Sequence, residues 1–380
     1  MAFIDPIVYV CALRAKPGEL NALAMLRHDV ADRLLPRLII APAKESNKAQ
    51  LNLLSDRGQL NLVPDLRGSW AYRPAIVDVA HVLDQFGRNS LDKWLAPAIR
   101  EAAQAGSSLF PCIRSNDLTD ELLPGFKLSV DNALGFFALS VNLLDATDPD
   151  ILSELVTKLT LADLDPARCI LLADFIADFS NAEAAAPVLE YAFSVLADAA
   201  PWYRIVFQSS AYPEKNPADE NSAQLVTRGE LLSFEMARSI VSGDAPGVLY
   251  GDFGADSSKI SFGPSKGRSY PHLRYALHDA WIVVRGSGQG KFNEQMKKVA
   301  RHIVESRSFS GAGFSEADFR IQNIADGVAT AGNASDWRSL NMCHHITMVV
   351  DQMGSKLGYA LETRVVAGNP VQIGMALVRR

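Results

Sequence analysis

The sequence predicts an α/β protein, a (β/α)8 TIM-like barrel followed by a C-terminal α+β extension. Eight short apolar runs recur about every 34 residues between positions 8 and 253, close to the length of one strand–helix unit. Helical patterns fill the intervals, and alternating strands and helices imply parallel strands with right-handed crossovers. The chain has 380 residues, and 48% of them are hydrophobic, enough for a large core. We expect the barrel to span 1–255 and the extension 256–380.

The eight predicted strands are apolar throughout, as strands buried on both faces are. They are VYVCALR (8–14), RLIIA (37–41), PAIVDVA (74–80), SLFPCIR (108–114), GFFALSV (135–141), RCILLAD (168–174), YRIVFQS (203–209) and GVLYGDF (247–253). An open sheet is the alternative to a closed barrel. It would more often carry a glycine-rich phosphate-binding first turn, and the segment after the first strand, RAKPGEL, has no G-x-G-x-x-G pattern.

The intervening helices show apolar residues at helical spacing. Residues 17–34 begin with Pro17 at a first-turn position, and Leu20, Leu23, Leu26 and Val30 share one face. Similar patterns predict helices over 151–164, 186–200 and 233–243.

The pattern changes after residue 255. Residues 256–269 are polar and glycine-rich and predict a mobile loop, and 269–288 predict an antiparallel strand pair. Helices are expected over 290–309 and 336–358, and 362–379 predict two strand-like runs around a Gly-Asn-Pro turn.

Composition excludes some classes of protein. The net charge of −6 argues against bulk binding of nucleic acid. No apolar stretch reaches the 18 residues of a membrane span, and the first ten residues lack the basic start of a signal peptide, so we expect a cytoplasmic protein. The four cysteines are far apart in sequence and are expected to be small buried side chains in a reducing compartment.

Function in a barrel of this kind belongs at the carboxyl ends of its strands. Acidic residues there could act as general bases or bind a divalent metal, and cations could clamp a phosphate or carboxylate. The cofactor stays unknown, with a divalent metal left open. The candidate catalytic residues are Asp78, Asp174 and Asp252, and the candidate ligand-binding residues are Lys16, Arg114, Gln208, Ser209 and Tyr250.

A structural alternative competes with this interpretation, because buried carboxylates need partners and ion pairs often close a barrel mouth. Asp78 and Asp174 each interrupt an apolar run, and Lys16 or Arg114 could pair with them.

For two other features of the sequence, a structural role is favoured over a role in binding or catalysis. The run Gly286–Gly290 lies between a strand and a helix and could bind an anion, but it matches neither a Walker A loop nor a dinucleotide fingerprint. His344 and His345 are adjacent on a predicted helix, so they cannot chelate one metal together, and packing is the favoured role.

Landmarks along the chain resemble one family. They are KPGE (16–19) before the first helix, YGDFG (250–254), the aromatic-bearing strand pair at 274–286 and the helix at 337–345. In this order they resemble the beta protein family of tailed bacteriophages and bacteria, over roughly residues 8–350. The resemblance implies one co-evolved unit in a phage–host setting and supplies no active-site residues.

Two functional hypotheses follow. The first is a barrel enzyme or binder of an anionic ligand, phosphate-bearing or a nucleotide, at the C-terminal rim. The alternative is a non-catalytic protein-interaction component of a phage or anti-phage defence system. The expected partner is thus a small anionic ligand or a protein.

Overall fold

Eight parallel strands close into a barrel in the computed structural model, which describes residues 7–42, 60, 62–176, 179–238, 247–260, 262 and 270–362. The strands in chain order are β1 (Tyr9–Arg14), β2 (Leu34–Ile39), β3 (Ala75–Asp78), β4 (Leu109–Arg114), β5 (Phe137–Val141), β6 (Cys169–Asp174), β7 (Arg204–Ser209), β8 (Ser222–Thr227), β9 (Leu249–Asp252), β10 (His272–Ala276) and β11 (Ala280–Arg285).

The barrel order is β1 to β7 followed by β9, and β9 pairs with β1 to complete the ring. All eight predicted strands are present, so the predicted fold class is confirmed. The second strand begins three residues earlier than predicted, at Leu34, and Pro36 pairs with Cys11 inside it. This shift makes Arg37 an interior residue of β2 rather than its first.

Helices pack around the barrel and over one side of it. They are α1 (Pro17–Ala24), α2 (His28–Ala31), α3 (Val63–Ser69), α4 (Leu83–Phe86), α5 (Leu91–Gln104), α6 (Leu123–Asn132), α7 (Leu143–Ala146), α8 (Pro149–Leu161), α9 (Ala182–Ala199), α10 (Gly229–Arg238), α11 (Phe292–Val304), α12 (Glu316–Asp326) and α13 (Ala334–Lys356), with short 3-10 turns at Arg88–Ser90, Ser115–Asp117 and Pro166–Arg168.

The helix predicted over 17–34 was wrong as one element. The structure has α1 and α2 separated at residues 25–27, and Leu34 already belongs to β2. The helices predicted over 151–164 and 186–200 correspond to α8 and α9. The end predicted for the helix over 233–243 lies outside the described residues, which continue α10 only to Arg238.

Side chains alternate between the barrel interior and the helical shell. The interior holds a cluster of buried side chains: Ile7, Val10, Leu35, Ile76, Phe110, Cys112, Ala138, Ile170, Leu172 and Val206. Their neighbours along the strands, such as Tyr9, Cys11 and Phe207, pack outward against the helices. All four cysteines are buried and unpaired, as expected.

A second sheet is antiparallel, with the order β10–β11–β8. The predicted strand pair over 269–288 is therefore confirmed, but its third strand comes from the chain between β7 and β9. The residues assigned to the barrel thus supply one strand of this sheet, and the division at residue 255 stays a prediction.

The C-terminal part packs closely on the barrel. The predicted helices over 290–309 and 336–358 correspond to α11 and α13, and α13 packs against α1 and β10. The strand-like runs predicted over 362–379 lie almost wholly outside the described residues, as does most of the predicted loop over 256–269. No helix in the described part of the chain is long and apolar enough to cross a membrane.

Candidate ligand site at the barrel mouth

Three charged side chains meet inside the barrel near the carboxyl ends of its strands. Arg37 on β2 donates through Nε and Nη2 to Asp78 Oδ2 at 2.9 and 2.7 Å, and through Nη1 to Asp174 Oδ2 at 2.8 Å. We call Arg37, Asp78 and Asp174 the mouth cluster. The side chains of Arg37 and Asp78 are 3% and 2% exposed, and that of Asp174 is 16% exposed.

In the mouth cluster, the ion pairs of Arg37 with Asp78 and Asp174 favour the charged form of the buried guanidinium. Burial alone would lower the pKa of Arg37, but the carboxylates of Asp174 and Asp78 raise it above its usual value. The sequence interpretation named Lys16 or Arg114 as partners of these carboxylates; the structure gives that role to Arg37. Arg37 faces inward on β2, and its guanidinium therefore lies between the two carboxylates. The predicted strand began at Arg37, so the sequence did not indicate which way this side chain points.

Two oxygens beside the cluster have no hydrogen-bond partner. Asp174 Oδ1 and Gln208 Oε1 are both buried, and neither bonds to any atom of the described residues. Gln208, which is fully buried, donates through Nε2 to the carbonyl oxygen of Asp252 at 2.7 Å. Ser140 on β5 donates to Asp174 Oδ2 at 3.2 Å, so only the other carboxylate oxygen stays open.

A row of side chains runs along the rim above the mouth cluster. Lys16 Nζ lies 5.4 Å from the centre of the Phe262 ring. The same ring packs edge-on against His81, with 5.0 Å between ring centres, and Nη2 of Arg114 lies 3.2 Å from His81 Nε2. Lys16 and Arg114, the two predicted anion-binding residues, are thus connected along one rim.

His81 is a neutral imidazole in this row. Burial lowers its pKa, although the carboxylate of Asp78 acts in the opposite direction. A guanidinium has donors only, so Arg114 must donate to an unprotonated Nε2, and Nδ1 carries the proton. The rim therefore presents cationic donors and an imidazole N–H next to the barrel opening.

Three other predicted site residues face away from this opening. Asp252, Tyr250 and Ser209 are buried on the outer wall of the barrel, where Ser209 Oγ donates to the carbonyl oxygen of Phe175 at 2.6 Å. They do not join the mouth cluster. The cause is strand alternation, which turns Gly251 rather than its neighbours toward the axis.

Asp252 instead anchors a buried network that joins the barrel wall to α10 and α13. We call this the wall network, and it consists of Tyr9, Arg228, Glu230, Tyr250, Asp252 and His345. His345 Nε2 lies 2.8 Å from Asp252 Oδ2, and Gly254 N donates to Asp252 Oδ1 at 2.8 Å. Gly254 has a φ of 64°, which allows this close return of the backbone.

The wall network has a defined protonation pattern. Trp281 Nε1–H points at His345 Nδ1 from 3.2 Å, so Nδ1 is the acceptor and Nε2–H donates to Asp252. Burial would raise the pKa of Asp252, but His345, Arg228 and Tyr9 together lower it. Burial raises the pKa of Glu230 to about 7, so one excess carboxylate in this network is readily protonated.

The β1 side of the mouth is covered by residues after β9. Phe253, with Ile260 and Phe262, packs over Ala12 and Ile39. Beside them, three arginines surround one carboxylate: Arg14, Arg274 and Arg338 all contact Asp256. Their charges lower the pKa of Asp256 against the effect of burial, and the space left there is about 10 Å³.

Metal binding receives no support from the described part of the chain. In it, no group of three or more His, Cys, Asp or Glu side chains is placed to hold a metal ion. In the mouth cluster, the guanidinium of Arg37 occupies the position between the two carboxylates.

Comparison with known proteins gives a family. The family model described as Beta protein matches residues 9–351, nearly the whole chain. The chain belongs to the Beta protein family. No curated protein matches this family member.

The solved structures that match the chain do so at low identity. A putative lyase/mutase from Burkholderia cenocepacia is 16% identical with a TM-score of 0.30, over 66% of this chain and 77% of that one. The biosynthetic arginine decarboxylase of Campylobacter jejuni is 11% identical with a TM-score of 0.36, over 91% of this chain and 56% of that one. A pyruvate carboxylase from Rhizobium etli is 12% identical with a TM-score of 0.36, over 88% of this chain and 25% of that one.

Sequence reasoning missed several residues that organise the mouth and the wall. Arg37 had a signal, a lone arginine within an apolar run, and His81 follows the third strand closely. The wall network offered no local signal, because Arg228 and His345 reach Asp252 only in the folded chain, where Glu230 in turn pairs with Arg228.

Proposed function

We propose that the barrel mouth binds a small anionic ligand, bearing a phosphate or a carboxylate, at the rim formed by Lys16, His81 and Arg114. The observation that carries the proposal is the continuous row Lys16–Phe262–His81–Arg114 beside the mouth cluster. A nucleotide is one ligand of this class.

The chemistry of the row suits an anion. Arg114 is exposed, and its planar guanidinium offers several donors to a phosphate or carboxylate while one nitrogen contacts His81. The neutral His81 contributes an N–H donor without the cost of burying another cation. Asp174 Oδ1, open and adjacent to this opening, would accept a hydrogen bond from a donor group of the ligand.

A thermal-shift titration tests the proposal. Purified protein is titrated with inorganic phosphate, citrate, nucleotides and sugar phosphates at constant ionic strength. A ligand that binds only the native state stabilises it by about 2.7 kcal/mol at a hundredfold excess over its Kd. We expect stabilisation by at least one compound and its loss in Arg114→Ala.

The matched control is Arg301→Ala. Arg301 is an exposed arginine on α11 whose partner is Glu305, one helical turn away, so this variant also removes one positive charge. Equal loss of stabilisation in both variants would indicate nonspecific charge screening and would refute a site at the rim.

A second candidate function is protein recognition in a phage or anti-phage setting. It is favoured by the β1 side of the mouth, where Phe253 and Ile260 pack over Ala12 and Ile39 and where Asp256 already pairs with three arginines. Here the charged side chains already pair with one another and apolar side chains lie beside them. Such a surface is better suited to contact another protein than to bind a small anion. The test uses the partly exposed Ile260. Binding of a purified phage protein that Ile260→Ala weakens, with no response to any anion, would support this function over the first.

A further inference from the structure

Two buried oxygens without hydrogen-bond partners among the described residues, Asp174 Oδ1 and Gln208 Oε1, indicate which chemical group of a ligand could enter the barrel. Asp174 on β6 and Gln208 on β7 are register partners in neighbouring parallel strands. Paired residues project from the same face of a sheet about 5 Å apart, so both side chains belong to one place on the inner wall. Each contributes one buried oxygen that no described atom contacts.

The identity of the open atom on Gln208 is fixed by its surroundings. An amide can be turned over, but its nitrogen lies 2.7 Å from the carbonyl oxygen of Asp252, which can only accept a hydrogen bond. The oxygen of the amide must therefore be the unpartnered atom. Both open atoms are acceptors, so only a hydrogen-bond donor satisfies them.

The charge of the surroundings selects the kind of donor. The mouth cluster contains two carboxylates and one guanidinium, which leaves one negative charge in excess. Burying an uncompensated charge is costly, so a group that brings a positive charge is favoured over a neutral hydroxyl or water. Two oxygens fall short of the six or more that a magnesium or calcium ion takes.

We infer that Asp174 Oδ1 and Gln208 Oε1 form a subsite for a primary ammonium group. This inference rests on the proposed ligand site at the mouth and specifies its ligand: a small zwitterion whose ammonium end enters the barrel. Its anionic end lies against Arg114, His81 and Lys16. Asp174 has the most exposed side chain of the mouth cluster, at 16%, although its Oδ1 atom is itself buried.

The subsite can be tested without knowing the ligand. The probe is methylammonium chloride, and the control is tetramethylammonium chloride, which has the same charge and no N–H donor. Thermal stability is measured with each salt at the same concentration and ionic strength. We expect methylammonium to stabilise the wild-type protein more than tetramethylammonium does.

Variants then locate the effect. Asp174→Asn removes the excess charge and leaves the Arg37–Asp78 pair, and it should weaken methylammonium binding about tenfold or more. Asp131→Asn, at a surface carboxylate on α6 paired with Lys127, is the matched control and should leave the preference unchanged. In the same way, phosphoethanolamine should bind more tightly than ethyl phosphate to the wild type and equally to Asp174→Asn.

The outcomes separate the two proposals. Equal stabilisation by methylammonium and tetramethylammonium overturns the ammonium subsite, whether or not an anion binds. A methylammonium preference that survives in Asp174→Asn overturns it as well. A third outcome is that Asp174→Asn abolishes the preference for methylammonium while no anion stabilises the protein in the earlier titration. That result supports the ammonium subsite and contradicts only the proposed anion site.

Discussion

Replacing Glu230 by glutamine should remove a pH dependence that the wall network imposes on stability. Glu230 is fully buried, accepts a hydrogen bond from Tyr250 at 3.1 Å and one from the backbone of Ala211 at 3.0 Å, and lies beside Arg228. Asp252 already balances the charge of Arg228. An ionised Glu230 is therefore a second carboxylate against a single guanidinium.

The size of the effect follows from the shift in pKa. Burial raises the pKa of Glu230 from 4.5 to about 7. When a group has a higher pKa in the folded protein than in the unfolded chain, its protonation stabilises the fold. This contribution is complete at pH values below the unfolded-state pKa and is lost as the pH rises through the folded-state pKa. Relative to the glutamine variant, the wild type should lose about 2–3 kcal/mol of unfolding free energy between pH 5 and pH 8.

Urea unfolding followed by tryptophan fluorescence at half-unit steps of pH measures this difference. The comparison is made between wild type and Glu230→Gln at each pH, so that titrations common to both cancel. Glu235→Gln, on the same helix at a partly exposed carboxylate paired with Lys356, is the control and should show no such trend. A difference that does not change with pH, or one that grows in favour of the wild type at high pH, would show that Glu230 does not titrate with a raised pKa in the folded protein.

Three further substitutions test other parts of the structure. Arg37→Met leaves two buried carboxylates without their counter-ion and should cost about 3–5 kcal/mol of unfolding free energy in urea. In His272→Gln, the free energy of unfolding should fall less than in the wild type as the pH drops below 6.5. Burial lowers the pKa of His272 to about 4, so the wild type loses about 2–3 kcal/mol of unfolding free energy between pH 6.5 and about pH 4. Gly229→Ala would place a Cβ 1.9 Å from the carbonyl oxygen of Phe179, and calorimetry should show a marked fall in Tm, unlike Gly68→Ala, whose Cβ meets nothing within 4 Å.

The barrel could be predicted because its signal is local and repeated. Strands buried on both faces are continuous apolar runs, and eight of them at regular spacing indicate the closed parallel sheet. The same property hides which face each side chain takes. A continuous apolar run has no alternation of polar and apolar residues, so nothing in YGDFG shows that Gly251 turns inward and Asp252 outward.

The parts that sequence reasoning missed depend on contacts between distant residues. β8 reads SAQLVT, a short and largely exposed strand, and its partner β11 lies more than fifty residues further along the chain. Of the candidate residues predicted from the sequence, five lie at the barrel opening: Lys16, Asp78, Arg114, Asp174 and Gln208. Their connections through Arg37, His81 and Phe262 required the folded chain.

A ligand site at the barrel mouth is tested most directly by a crystal structure of the protein with the compound that stabilises it most. We expect electron density at the barrel mouth, with an anionic group within hydrogen-bonding distance of Arg114 and a donor group against Asp174 and Gln208. Density elsewhere would contradict it, for example in the cavity of about 570 Å³ between α1, α12 and α13, where Asn21, Arg320 and Asp336 line the wall.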